Sequence, residues 1–131
     1  MKIKVPVFVV VITTLTGLIA TALGLWASLS PQTHPQFIEG ATKIVLSWSG
    51  RELGQGLAAL ATVAFIRDAR GYAIAIGSSW VREVIDFVDF FRIADTPTRL
   101  YFVVGTSVIL HSIALWMTIK AIRERSSETS V

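Results

Sequence analysis

Ser78-Ser79-Trp80-Val81-Arg82-Glu83-Val84-Ile85-Asp86-Phe87-Val88-Asp89-Phe90-Phe91 is the stretch whose reading decides the fold. It is apolar enough to lie in a bilayer, yet it carries four ionisable groups. At about 100° per residue a helix places Arg82, Asp86 and Asp89 on one face, and Ser78 and Ser79 extend that stripe by a turn. Charged groups at membrane depth are costly, so they turn toward a protein interior or a wet cavity and pair there. The stripe therefore predicts further helices wrapped around it.

The rest of the chain supplies them. Val5 to Leu29 contains no charged residue and follows Lys2 and Lys4. A signal sequence has an apolar run of only about 7–15 residues, whereas a bilayer-crossing helix needs about 20, so this run reads as a span. Thr14, Gly17, Thr21, Gly24 and Ser28 recur at spacings of three and four and form a small-residue face for close helix contact. Pro31 and Pro35 bracket a polar connection that contains His34, a solvated loop residue in this reading. Phe37 to Trp48 is a mixed, aromatic-tipped segment suited to the membrane interface.

Ser49-Gly50-Arg51-Glu52 has the form of a capping box, which starts a second helix at Ser49. From there to Ile66 the helix is about 27 Å long, enough to cross. Arg67-Asp68-Ala69-Arg70-Gly71 is a tight charged turn, with Gly71 expected to end one helix and admit the next. Tyr72 to Phe91 is the third helix. Asp95, Thr96 and Pro97 break the chain, and Leu100 to Ile119 is the fourth, with His111 its only ionisable member. Lys120 to Val131 reads as a fraying tail. The expectation is an all-α chain forming one domain of 131 residues, an integral membrane four-helix bundle with helices at about 5–29, 49–66, 72–91 and 100–119.

Composition agrees. Hydrophobic residues are 53% and charged residues 16% of the chain, against about 25% charged in soluble domains, and the mean hydropathy is +0.63. The absence of cysteine excludes disulfides, thiolate catalysis, iron–sulfur clusters and cysteine-based zinc sites. The basic residues gather at helix ends rather than on a face for nucleic acid, so no nucleic-acid partner is expected. Lys2, Lys4, Arg67, Arg70, Lys120, Arg123 and Arg125 fall at one end of a four-span bundle, and Lys43, Arg51, Arg92 and Arg99 at the other. The positive-inside rule then puts both termini in the cytoplasm.

With that topology Arg82, Glu83, Asp86 and Asp89 occupy the outer half of the third helix, and Glu52 and Gln55 the outer half of the second. His111 lies about 18 Å along the fourth helix from Arg99, near mid-membrane. A pocket open to the outside is expected, with Tyr101 and Trp26 near its mouth. Asp86, Asp89, Glu52, Arg82 and His111 are its candidate catalytic residues, and Gln55, Glu83, Ser79 and Tyr101 its candidate binding residues.

Three functions fit this set. The first is binding of a lipophilic or amphiphilic small molecule, or of a membrane partner. The second is acid–base chemistry on a lipophilic substrate, such as isomerisation, cyclisation or epoxide opening. There the carboxylates divide acid and base roles, Arg82 orients them and His111 shuttles a proton. The third is a structural role, in which a closed salt-bridge network fixes helix register within a homo-oligomer, through the small face of the first helix, or within a membrane complex. No cofactor is implied, and no metal, since Glu-x-x-His and His-Glu-x-x-His spacings are missing and Arg82 would repel a cation. Transport is disfavoured because the inner half of every helix is apolar or small.

Three motifs, Arg51-Glu52-x-x-Gln55-Gly56, Arg67-Asp68-Ala69-Arg70 and Arg82-Glu83-x-x-Asp86, resemble small four-helix bacterial membrane families of the DoxX-like group. The resemblance spans about half the chain, from Gly50 to the fourth helix. It implies a fold and a polar site but no particular reaction.

Overall fold

The structure, a computed structural model, describes residues 4–33, 42–91 and 98–128. Among the described residues it is all-helical, with four α-helices: α1 (Val7–Leu29), α2 (Thr42–Ala61), α3 (Ala69–Phe90) and α4 (Thr98–Glu128). Two stretches, Val7–Leu29 and Tyr101–Ser127, are long and apolar enough to cross a membrane. The expected loop at His34 and the break at Asp95, Thr96 and Pro97 lie outside the described residues.

Pro6 precedes α1, and its carbonyl accepts the Val10 N–H at 3.2 Å, so a residue with no N–H of its own opens the helix. Along α1 the hydroxyls of Thr13 and Thr14 donate to the carbonyls of Val9 and Val10, which lets these two residues sit in an apolar helix with their donors used. The second helix starts earlier than the sequence predicts. Ser49 lies inside α2 rather than at its N-cap, and its hydroxyl accepts from Ser28 of α1 at 3.1 Å. The capping-box pattern is thus coincidental, and Glu52 is free to point elsewhere.

At its C-terminal end α2 widens into a single π-helical turn, Thr62–Ile66. Arg67 then takes the left-handed conformation at φ 48°. Gly71 was expected in that role and instead lies in the first turn of α3, where a β-carbon would collide with Ile66. Asp68 caps α3 by accepting the Arg70 N–H at 3.3 Å. At the chain's other end, the expected fraying tail is helical to Glu128, with Lys120 Nζ 3.7 Å from Glu124 Oε1.

The helices run alternately up and down, so α1 neighbours both α2 and α4. The α1–α2 seam is the tightest. A β-carbon on Gly24 would lie 2.6 Å from the Leu53 nitrogen, and one on Gly56 2.5 Å from the Thr21 nitrogen. The small-residue face of α1 thus packs on α2 within the same chain at Gly17, Thr21 and Gly24. Between α3 and α4 larger groups meet: Trp80 Nε1 donates to Ser112 Oγ at 2.8 Å, and Phe87 packs near Gly105. Val9, Ile12, Tyr72, Ile76 and Ala114 form an apolar core toward the Arg67–Arg70 end. The buried charges lie in the other half.

The seam predicts opposite outcomes for two nearby glycines of α2. Gly56→Ala should destabilise the protein by about 1–3 kcal/mol through overpacking. Gly54→Ala meets nothing within 4 Å and should stabilise it by about 0.5–1 kcal/mol through backbone entropy. Thermal unfolding in detergent measures both, and equal shifts would contradict the seam.

Candidate functional site

Arg82 projects from α3 into the bundle, and its side chain is 14% exposed. Its Nη1 donates to Glu52 Oε2 at 2.6 Å and to Gln55 Oε1 at 3.2 Å. Its Nη2 donates to Glu83 Oε1. Asp86, one turn further on, has Oδ2 3.8 Å from Arg82 Nε and Oδ1 3.6 Å from Arg51 Nη2. The guanidinium fork is what allows one cation to serve partners on two helices.

A second layer fixes these groups. The Gln55 amide donates to Ser79 Oγ at 3.0 Å, and Ser79 donates to the Ala75 carbonyl at 3.1 Å. This chain turns Gln55 Oε1 toward Arg82. Glu52 is only 1% exposed, and its second oxygen, Oε1, has no hydrogen-bond partner. A bare carboxylate oxygen in an interior is costly unless something donates to it.

His111 of α4 is buried. Its Nδ1 lies 2.8 Å from the Ser107 carbonyl and its Nε2 3.0 Å from Thr16 Oγ1 on α1. A carbonyl can only accept, so Nδ1 carries a proton. In the neutral ring Nε2 is then the acceptor and Thr16 the donor.

These groups share a cavity of about 400 Å³ between α1 and α4. Glu52, Arg82, Glu83, Asp86 and His111 form its polar part, while Ile12, Leu15, Ile19, Val103 and Leu110 line the rest. Leu15, Ile19 and Val103 are exposed, so the cavity opens sideways between the two helices. A second hollow of about 390 Å³ lies across Arg82, against Arg51, Gln55, Ala58, Ser78, Val81 and Ile85.

The structure thus brings Glu52, Arg82, Glu83, Asp86 and His111 to one cavity, with Gln55 and Ser79 behind them. Asp89 and Tyr101 are not among the residues lining it. The Tyr101 ring instead meets Phe87 and Phe91, at centroid distances of 6.4 and 5.1 Å. Trp26, expected near the mouth, donates its indole N–H to Thr33 at 2.8 Å. Sequence reasoning gave no role to Thr16, Ser107 or the Arg51–Asp86 pair. Ser107 precedes His111 by one turn, which was a readable signal. Thr16 signals itself only once α1 and α4 are known to be neighbours.

Among the described residues no group of three or more side chains is arranged to hold a metal ion. No family model matches the chain, and neither does a curated protein or a solved structure.

Arg82→Met leaves Glu52 and Glu83 buried without their cation and should cost about 3–5 kcal/mol. Adding Glu52→Leu to that variant should restore part of the loss, because it removes a stranded carboxylate. Unfolding midpoints of the single and double variants measure this. A single variant as stable as the wild type would mean that Arg82 does not hold the network.

Proposed function

We propose that the chain is a multi-pass, four-helix integral membrane bundle that binds a lipophilic or amphiphilic small molecule in the cavity between α1 and α4. The observation that carries this reading is the inverted distribution of side chains around an open cavity. Glu52, Glu83 and His111 are inside, while Leu18, Phe65, Ile74, Phe102 and Trp116 are outside. A core helix of a soluble protein is mostly covered; α1 and the long apolar part of α4 are mostly uncovered. A closed ion network alone would need neither an open apolar crevice nor an unpartnered Glu52 oxygen facing polar company.

Orientation follows from the charge asymmetry, with both termini and the Arg67–Arg70 turn in the cytoplasm. The polar half of the bundle is then its outer half, where the cavity meets lipid from the side. The likeness to DoxX-like families is proposed on the same footing. Its support is that the motifs at 51–56 and 82–86 fold onto each other around Arg82, while the third makes the turn between their helices.

One observation favours a second reading, an acid–base enzyme. Glu52 and His111 line the same cavity, so a substrate there would meet a carboxylate and an imidazole together. In that case Asp86, Glu52 and His111 handle protons and Arg82 orients them.

A bound amphiphile at a hundred times its Kd should stabilise the protein by about 2.7 kcal/mol. Thermal unfolding of the detergent-purified protein against a panel of single-chain amphiphiles reads this. Asp86→Asn should keep the fold while weakening the ligand-induced shift. A variant that loses stability yet retains the full shift would assign the charges to packing alone. A reporter fused after Arg125 should read as cytoplasmic, and a periplasmic or external signal would reverse the orientation.

A further inference from the structure

The polar part of the cavity is unusually one-sided in its hydrogen bonding. Glu52 Oε1 is buried and unpartnered. Thr16, which also lines the cavity, uses its hydroxyl proton on the neutral His111 Nε2, so its oxygen has lone pairs left to accept with. Glu83 and Asp86 add carboxylate oxygens. Most of the donors are committed elsewhere; Arg82 Nε, which has no hydrogen-bond partner, lies 3.8 Å from Asp86 Oδ2. Arg82 Nη1 serves Glu52 and Gln55, its Nη2 serves Glu83, and His111 Nδ1 serves the Ser107 carbonyl. Charge points the same way. Three carboxylates face Arg82, and Arg51, which reaches Asp86 from the exposed side, still leaves one formal negative charge over.

We propose that this cavity selects a primary ammonium carried on a single apolar chain. The head docks on Glu52 Oε1 with Thr16 as a second acceptor, and the chain lies in the crevice between α1 and α4. This rests on the reading that the cavity holds an amphiphile, and it names the class. An ammonium brings three N–H donors to a wall of acceptors, and its charge balances the surplus carboxylate. An alcohol brings one donor and no charge. A fatty acid anion brings no donor, and its negative charge meets Glu52 head-on. The volume of about 400 Å³ falls within the roughly 300–1,000 Å³ of small-molecule sites. The sideways opening past Leu15, Ile19 and Val103 lets a lipid-dissolved chain slide in without crossing water.

The test uses the full chain in nanodiscs of phosphatidylcholine, whose headgroup has no N–H to donate. Decylamine, decanol and decanoate are compared by thermal shift and by quenching of tryptophan fluorescence. Decylamine should bind about tenfold or more tightly than decanol, as a charge-assisted bond to a buried carboxylate implies, and decanoate should be weakest. Glu52→Gln should erase most of the preference. Val103→Trp, on the exposed rim where the fold tolerates it, should weaken all three probes by narrowing the crevice. Should Glu52→Gln fail to fold, Thr16→Val serves as the second acceptor test and should lower decylamine affinity several-fold.

Decanol or decanoate matching decylamine on the wild type overturns the ammonium preference and leaves the amphiphile reading intact. A preference for decylamine unchanged in Glu52→Gln and Thr16→Val assigns it to the bilayer and overturns the docking site. No binding by any of the three overturns the amphiphile reading as well. Adding phosphatidylethanolamine to the discs separates two sources of the same head. Weaker decylamine binding there means that a lipid ammonium occupies the site, and unchanged binding means a free amine, each in support of the class.

Discussion

The contact on which the rest of this structure depends is the Arg82–Glu52 bond, 2.6 Å long and almost wholly covered by protein. It joins α3 to α2 inside a chain whose outer faces are apolar. Burying one charge alone is costly by several kcal/mol even after relaxation, so neither residue is tolerable inside without the other. Their meeting fixes the register of two helices, because a slip of one residue would swing Arg82 off the stripe. Gln55, Glu83 and Asp86 then follow, each within reach of the same guanidinium.

The tight packing of α1 on α2 and the charge pairing of α2 with α3 are complementary constraints. The first comes from Gly17, Gly24 and Gly56, which bring backbones close enough that no β-carbon fits. The second is electrostatic and tolerates more space. The α1–α4 seam shows neither device among the described residues. There the Thr16–His111 bond is a polar tie between the two helices, and both residues line the crevice.

Much of this was legible in the chain because helix period and charge cost are local facts. The stripe on residues 78–91 follows from about 100° per residue, and the level of Glu52 against Arg82 from the antiparallel run of two short-linked helices. The failures have equally definite causes. Ser49–Glu52 mimics a helix start, but a cap is a tertiary outcome, and Ser49 is tied to Ser28 instead. Gly71 looked like the left-handed residue, yet Arg67 takes that conformation after a π-turn, which no residue spacing announces. Tyr101 sits near the right height but on a face claimed by Phe87 and Phe91. Thr16 was invisible because its meaning depends on a neighbour 95 positions away.

What can fill the cavity follows from its lining. It opens sideways past Leu15, Ile19 and Val103, so whatever fills it comes from the surroundings rather than being sealed in. Water is a poor filler against Ile12, Leu15, Ile19 and Leu110, and acyl chains alone are a poor one against Glu52, which has an oxygen to satisfy. Only a molecule with an apolar body and a donating head removes both penalties at once. On the reading proposed above, the crevice is a seat whose walls are set by α1 and α4 and whose floor is set by Arg82.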